Sequence, residues 1–448
     1  MATSGSLSAS SAGKMGRVGG SSIEDPVSSI RLCTNVVDSR AVLDRTPPAL
    51  LLQTTPGRET VAAGVWITRG AAHDPAAVAG ATHLVEHLTL RACGGRDRKM
   101  LARLVDRLGG EVDAWTSSEL MGISVNTTAD AAGDALDLLV DAVLNPTFEP
   151  EDVELERRVT RAELELVADD PAEKVGEALL KAAWGEHPLA RPVIGTFETL
   201  DALTPEILRG HHETLVRPGG MIAAVVGDVS HDDVGSRLSR LPLNRIPAVP
   251  ELPPLTWQGA HLDLNREGTD QVHARLAFEA LAVSDPRTPA LVILNRTLGD
   301  GASSRLFQRL REEEGLTYDI WSGPVAWRLG GFLEVGWACA PQAFSDSWRL
   351  VLDELARISR DLSDEEVEVA KEGTLRGLRM DMESPGARCA LDVGEMLERN
   401  RRFDPDIVCR ELEAVTCDDV LGLAAEILRP DSCASAICGP EGAATRVA

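Results

Sequence analysis

The sequence lacks the features that mark membrane, secreted or nucleic-acid-binding proteins. It contains no apolar run long enough to span a membrane, and its first 29 residues have no apolar segment typical of a secretory signal. Its eight cysteines are scattered without a C-x-x-C pair, which is typical of reduced thiols in the cytoplasm. The net charge of −25 disfavours binding to phosphate backbones. These absences predict a cytoplasmic protein without a membrane or nucleic-acid partner. Its acidity serves solubility or lines a cavity for basic peptides.

The two halves of the chain share a repeated pattern. Residues 203–227 and 415–439 each contain a Thr that can cap a helix, an Arg-Pro pair that ends the helix, and an apolar strand. The offset between the copies is constant, since 416 − 204 and 439 − 227 both give 212. A repeat of this length predicts two similar domains.

The predicted domain organisation follows from this repeat and from local composition. Residues 1–29 are rich in Ser, Gly and Ala, which predicts a disordered tail. Prolines crowd residues 242–257, which we interpret as a stiff extended linker. The N-terminal domain is therefore placed at 30–241 and the C-terminal domain at 258–448.

Strand and helix patterns alternate along the first half. The pattern predicts strands over 61–68 and 111–117 and helices over 97–108 and 129–144. Strands that are interleaved with helices in this way favour an α+β fold, in which helices cover the sheets.

The motif with the clearest chemistry is the H-x-x-E-H run formed by His83, Glu86 and His87, within a predicted helix over 79–90. Side chains four residues apart share one face of a helix, so His83 and His87 can bind one metal ion. Glu86 lies beside them, where it can take a proton from a metal-bound water, and this spacing is the inverted zincin motif. The alternative interpretation is two histidines that are satisfied by ordinary hydrogen bonds in the core or at the surface.

A catalytic zinc site needs a third protein ligand and an open position for water. A predicted helix over 151–167 supplies four candidates, Glu154, Glu156, Glu163 and Glu165. Glu156 and Glu163 are two helical turns apart and share a face. Helix geometry alone does not choose among the four, and the helix could also simply present a solvated acidic face.

From about residue 30 to its end, the chain resembles the pitrilysin and mitochondrial-processing-peptidase family of inverzincin metallopeptidases. It is similar to the bacterial members that have two domains in one polypeptide. The resemblance implies that Glu163, which lies 76 residues after His87 (163 − 87 = 76), is the third zinc ligand. It also implies that Glu156 supports the site from behind the ligands. Each domain would be a mixed, mainly antiparallel sheet covered by helices, and the two domains would form half of a clamshell.

The resemblance also implies substrate-binding residues. Asp113, Ala114, Trp115 and Thr116 resemble the family's edge strand beside the zinc, which pairs with an extended substrate. Most members have Asn in the place of Asp113, so the contribution of Asp113 to substrate binding is left open.

Two residues of the second half complete the predicted catalytic machinery. Arg311 and Tyr318 are seven residues apart, as in the family's pair that binds the scissile carbonyl. Tyr318 is the single tyrosine of a chain with 4% aromatic residues. Alternatively, Tyr318 is a core aromatic residue whose hydroxyl reaches water, and Arg311 is an ordinary charge on a helix surface.

Together, these features predict a zinc endopeptidase that cleaves unfolded peptides inside the chamber of a dimer by means of a metal-activated water. Because the chain carries both the zinc motif and the Arg/Tyr pair, a homodimer is expected, with a heterodimer of related subunits as the alternative. Two other functions stay open. One is a dedicated leader-peptide processing peptidase, and the other is a non-catalytic scaffold subunit of the same fold.

Overall fold

The computed structural model of the protein describes residues 49–217, 219–245 and 250–442. Residues 1–48, which include the predicted tail, lie outside the described residues, as do Pro218 and residues 246–249 of the predicted linker. The described parts of the linker contain no helix or strand. All described residues belong to one compact unit, so contacts between the two halves of the chain are part of its fold.

The first half is built around a five-stranded sheet. Its strands are β1 (Leu50–Thr54), β2 (Thr60–Ile67), β3 (Glu111–Thr116), β4 (Met121–Thr128) and β5 (Met221–Gly227). They lie in the order β1-β5-β2-β4-β3, with β1 parallel to β5 and the other neighbours antiparallel. Every residue of β5 is buried, as expected for an apolar strand inside a sheet that is covered on both faces. Strand β3 forms one edge of this sheet.

The helices of the first half cover this sheet or extend from it. They are α1 (Ala81–Thr89), α2 (Arg98–Leu108), α3 (Ala132–Leu144), α4 (Pro150–Asp169), α5 (Pro171–Trp184), α6 (Phe197–Ala202), α7 (Pro205–Leu215) and α8 (His231–Arg237). The bounds of α2 follow from its caps. The side chain of Asp97 accepts a hydrogen bond from the Met100 amide (2.8 Å), and Gly109 ends the helix with a left-handed φ of 68°.

The second half repeats the first. Its strands are β6 (His261–Asn265), β7 (Val272–Ala280), β8 (Thr317–Ala326), β9 (Gly331–Cys339) and β10 (Ala434–Gly439). Their order, β6-β10-β7-β9-β8, matches that of the first sheet strand for strand, and β6 is again parallel to its neighbour. The α+β class with two homologous, mainly antiparallel sheets is therefore confirmed.

The helices of the second half also follow the order of the first. They are α9 (Thr288–Leu298), a π-helix (Phe307–Glu313), α10 (Phe344–Asp361), α11 (Asp364–Asp381), α12 (Pro385–Arg399), α13 (Pro405–Glu413) and α14 (Cys417–Ile427). None of the helices in the described part of the chain is long and apolar enough to cross a membrane.

Two helices each pack on the sheet of the other half of the chain. Helix α12 of the second half packs on β5 and β2, and its residues Cys389 and Val393 belong to the core of the first sheet. Helix α5 of the first half packs on β10 and β7 of the second sheet. Each sheet is thus covered by a helix from the other half, which couples the two cores.

Two predicted element boundaries were wrong by a few residues. The helix predicted over 129–144 begins at Ala132, because residues 129–131 form a separate turn of 3₁₀ helix. The helix predicted over 79–90 begins at Ala81, after another such turn over Ala76–Val78. Tight turns of this kind are frequent at the ends of regular elements, where the ladder hydrogen bonds have not yet formed.

Candidate metal centre

The predicted metal-binding helix is present as α1, and its apolar residues fix its orientation. Leu84, Val85 and Leu88 are fully buried in the first core. Their burial directs His83, Glu86 and His87 along the side of the helix that packs near α4 and β3. His83 is itself 6% exposed, so the motif lies at the boundary between the core and the surface.

Helix α4 adds a carboxylate to the two imidazoles. One ligand atom each of His83, His87 and Glu163 lies within 4.8 Å of the others. His87 Nε2 is 3.8 Å from Glu163 Oε2, and the two imidazole rings are 4.6 Å apart at their centroids. Among the described residues, these three side chains form the one group of His, Cys, Asp or Glu that is close enough to hold a metal ion.

Glu156 supports this cluster from behind. It lies on the buried stripe of α4, where a carboxylate needs polar partners to offset the loss of hydration. Its Oε2 is 3.2 Å from His87 Nδ1, and its Oε1 accepts the Arg91 guanidinium at 2.8 Å. Arg91 is also bound by Asp152 at 3.2 Å. The contacts of Arg91 with Glu156 and of Glu156 with His87 therefore fix the orientation of the His87 imidazole.

The surroundings of the two histidines give them opposite pKa shifts. Burial, with a smaller contribution from the charge of His87, lowers the pKa of His83 to about 3, so this ring is neutral at pH 7. Burial also acts to lower the pKa of His87, but the hydrogen bond to Glu156 and the charges of Glu86 and Glu163 outweigh it. The pKa of His87 is raised overall, which shows that the carboxylates around it favour a cation.

Glu86 lies beside the cluster and is held by the edge strand. Thr116 Oγ1 donates a hydrogen bond to Glu86 Oε2 at 3.3 Å. Burial raises the pKa of Glu86 to about 7, against the opposing charge of His87 and the hydrogen bond from Thr116. A carboxyl group with a pKa near neutrality can both accept and donate a proton, as a general acid and base must.

The residues fit a zinc ion on two grounds. Two imidazoles and one carboxylate are a common protein ligand set for catalytic zinc, and they leave a position for water. In addition, His83 Nδ1 is buried without a hydrogen-bond partner among the described residues. A buried nitrogen that no protein group satisfies is costly, and the ring that carries it is free to act as a ligand.

The four predicted substrate-binding residues lie together on β3. Among the described residues this strand pairs with β4 alone, so its outer edge can accept another strand. Asp113 is exposed, and its charge contributes to the raised pKa of Glu86, which places it near the cluster. Trp115 packs flat over Gly122 of β4, where a Cβ would come within 2.4 Å of the indole. Glycine at 122 therefore lets this aromatic residue lie against the sheet.

Arg311 and Tyr318 are in contact with each other. The Arg311 guanidinium stacks on the Tyr318 ring at 4.7 Å and on the Phe307 ring at 4.6 Å. Tyr318 is 79% exposed, so it is not a core aromatic residue. Within the described residues, neither side chain has a hydrogen bond, ion pair or ring contact with His83, His87 or Glu163.

Sequence reasoning missed Arg91 and the contact of Thr116 with Glu86. Arg91 follows His87 by four residues, a helical spacing that could have indicated a shared face. Its role depends on Glu156, which is 65 residues further along the chain (156 − 91 = 65) and is brought close only by the packing of α4 on α1.

Arg91 supports the metal cluster through Glu156. Replacing Arg91 by Ala leaves Glu156 buried without its cation and frees His87 to rotate, so we expect zinc to bind roughly 10- to 100-fold more weakly. Asp152→Asn is the matched control, because Asp152 contacts Arg91 but not His87. Competition with a chelator for Zn²⁺ measures both variants. Equal zinc affinity of Arg91→Ala and the wild type would contradict this role.

Comparison with known proteins identifies the family to which the chain is similar. Residues 49–197 match the family model "Insulinase (Peptidase family M16)", and residues 202–374 match "Peptidase M16 inactive domain". An uncharacterized zinc protease of Mycobacterium tuberculosis is 32% identical over 398 residues, which cover 86% of this chain and 90% of that protein. The beta subunit of the bovine mitochondrial-processing peptidase is 23% identical over 402 residues, covering 86% and 81%.

The solved structures show the same fold. A structure from Pseudomonas fluorescens, described as a peptidase M16 inactive domain, superposes with a TM-score of 0.80 at 21% identity, over 88% of this chain and 97% of that chain. The two family models and the 32% identical relative confirm the resemblance to the pitrilysin and mitochondrial-processing-peptidase family. The chain belongs to peptidase family M16, the insulinase family.

Proposed function

We propose that the protein is a zinc-dependent endopeptidase that hydrolyses unfolded peptides. The observation that carries this proposal is the cluster of His83, His87 and Glu163 with Glu86 beside it and an open strand edge at β3. Members of the family are named zinc proteases, which supports the same chemistry.

The chain's own residues divide the work of peptide hydrolysis. His83, His87 and Glu163 hold the ion. Zinc supplies Lewis-acid chemistry, polarising the carbonyl and lowering the pKa of water. Glu86 takes a proton from the attacking water at Oε1, since Oε2 is engaged by Thr116. The water oxygen forms a bond to the carbonyl carbon, the C–N bond breaks, and Glu86 passes the proton to the departing nitrogen.

The edge strand positions the substrate. An extended peptide can add to β3 through backbone hydrogen bonds, which tolerate many sequences but require an unfolded segment. Ala114, Trp115 and Thr116 line this edge beside Glu86, and the exposed Asp113 offers a carboxylate to a donor on the substrate. This mode of binding favours oligopeptides over folded proteins.

Arg311 and Tyr318 would stabilise the oxyanion from a second subunit. Among the described residues, neither side chain contacts the metal cluster of its own chain. The two side chains stack on each other and Tyr318 is exposed, so a partner subunit can reach them. A homodimer in which each subunit completes the other's site accounts for both signatures in one polypeptide. A related subunit could supply the same pair in a heterodimer.

Removal of the metal tests the proposal directly. We expect the purified chain to contain zinc, to cleave a mixture of unstructured peptides internally, and to lose cleavage when a chelator removes the ion. Zn²⁺ should restore activity, while Mg²⁺ should not, because imidazole ligands suit zinc. Mass spectrometry of the peptide mixture reports the cut sites. Cleavage that survives complete removal of the metal would contradict the proposal.

A dedicated processing peptidase is the second candidate, favoured by the similarity to a mitochondrial-processing-peptidase subunit. It would use the same residues on a narrow set of leader sequences. A scaffold subunit is disfavoured because the chain retains a complete ligand set and Glu86. For location we propose the cytoplasm, which agrees with the seven described cysteines all being free thiols.

A further inference from the structure

The first turn of the metal-binding helix is held by groups outside the helix. The N-cap of α1 is Gly80, which has no side chain to accept a hydrogen bond from the free amides of the first turn. No other residue is easily placed there, since Gly80 has a φ of +90° and a Cβ would lie 2.5 Å from the carbonyl oxygen of Ile194. The chain must therefore satisfy these amides in another way.

Asp74 takes over the role of the missing cap. Its Oδ2 accepts hydrogen bonds from the amides of Gly80 (2.9 Å) and Thr82 (3.2 Å), although it lies six residues before the helix cap. Its side chain is fully buried, and its backbone carbonyl is bound by the Arg191 guanidinium at 3.0 Å. A carboxylate at this end of a helix is also favoured by the helix dipole.

His211 of α7 joins this network through the hydroxyl of Thr82. Thr82 Oγ1 donates to Asp74 Oδ1 at 2.5 Å, and His211 Nε2 lies 2.8 Å from the hydroxyl and 3.2 Å from Asp74 Oδ1. Because the carboxylate oxygen only accepts, His211 Nε2 carries the hydrogen and donates it. The Thr82 hydroxyl of α1 is thereby hydrogen-bonded to both Asp74 and His211.

Thr82 is the residue immediately before His83. His83 Nδ1 has no hydrogen-bond partner among the described residues, so the position of the ring depends on its packing, including the contact with His87, and on the backbone that carries it. We propose that Asp74 and His211, acting through Thr82, are positioning residues that fix His83 for binding the metal ion. This inference rests on the proposed function, in which the cluster holds zinc.

The network affects the affinity for the metal ion because it orders the first turn of α1 before the ion binds. A helix turn that is already fixed loses little freedom when the ion binds, whereas a loosened turn must be ordered at that step, which weakens binding. Removing one member also leaves its buried partners without hydrogen bonds. Groups that hydrogen-bond directly to a metal ligand commonly change metal affinity by about 10- to 100-fold, and we expect a change near the lower end of this range for a network that acts through the backbone.

Thr82→Val is the decisive variant, because it removes the hydroxyl and nearly preserves the volume of the side chain. Thr89→Val is its matched control. Thr89 is a buried threonine on the same helix, and its hydroxyl donates to the backbone carbonyl of Glu86 at 2.7 Å, within the helix itself. Zn²⁺ affinity is measured in the full chain by competition with a chelator. The absorption spectrum of the Co²⁺-loaded chain reports the coordination geometry.

We expect Thr82→Val to bind Zn²⁺ roughly tenfold more weakly or worse and to change the Co²⁺ spectrum, with Thr82→Ser within about threefold of wild type. Thr89→Val should match the wild type, even if both valine variants lower the melting temperature of the metal-free chain. His211→Leu provides a second, milder variant should Thr82→Val not fold, and it should also weaken binding of Zn²⁺.

The outcomes separate this inference from the proposed function. Equal zinc affinities of the two valine variants, or no rescue by Thr82→Ser, would overturn the positioning role while the wild type still binds zinc and cleaves peptides. A wild-type chain that binds no Zn²⁺ would overturn the proposed function and this inference together.

Discussion

Glu86→Gln is expected to keep its zinc and to lose peptide cleavage by about 10²- to 10⁴-fold. Glutamine preserves the size of the side chain and can still contact Thr116, but it cannot take a proton from water. Glu86 is not among the three metal-binding side chains, so their positions should not change. Zinc content by elemental analysis and cleavage of the peptide mixture are measured on the same sample, which separates loss of the base from loss of the ion.

Glu165→Gln is the matched control for this experiment. Glu165 is exposed on α4, two residues from Glu163, and it was one of the four glutamates that sequence spacing left as candidate ligands. Glu165 is not among the residues of the metal cluster, so we expect the zinc content and the cleavage of this variant to equal those of the wild type. If Glu86→Gln cleaved peptides at the wild-type rate, Glu86 would not be the base.

The three site residues on α1 could be predicted from the sequence because their arrangement depends on local helix geometry. His83, Glu86 and His87 lie within five residues, and the spacing of a helix alone brings them to one side. Glu163 is different, since its place depends on how α4 packs against α1. Spacing left it equivalent to Glu154, and only the family resemblance selected it. In the structure Glu154 is exposed and paired with Arg157 at 3.1 Å, whereas Glu163 faces the histidines.

The crossing of α5 and α12 between the halves could not be predicted. An amphipathic pattern shows that a helix covers an apolar surface, but it does not show which of two similar sheets that surface belongs to. The repeat predicted two similar domains, and it carried no information on which helix covers which sheet. In the structure, Cys389 and Val393 are part of the first core, about 160 residues after its last strand.

A complementation experiment tests whether two chains share each active site. Arg311→Ala retains the metal cluster but lacks the proposed oxyanion donor, and we expect it to lose about 10²- to 10³-fold in activity. Glu86→Gln retains Arg311 but lacks the proposed general base beside the metal cluster. If the Arg311 of one subunit serves the zinc of the other, a mixed dimer contains one complete site. Random pairing of equal amounts makes half of the dimers mixed, so activity should recover to about one quarter of the wild type.

The control mixture combines Glu86→Gln with His83→Ala. Both lesions lie in the metal-binding half, so no pairing of these two chains creates a complete site, and activity should stay at background. Copurification through two different tags on co-expressed chains verifies that mixed dimers form. Recovery only in the mixture with Arg311→Ala requires Arg311 to act across the interface, in agreement with its lack of contact with the metal cluster of its own chain. Mixed dimers that form without recovering activity would place the whole site within one chain. Arg311 and Tyr318 would then have to approach their own zinc by a movement of the second half, against the coupling that α5 and α12 impose on the two cores.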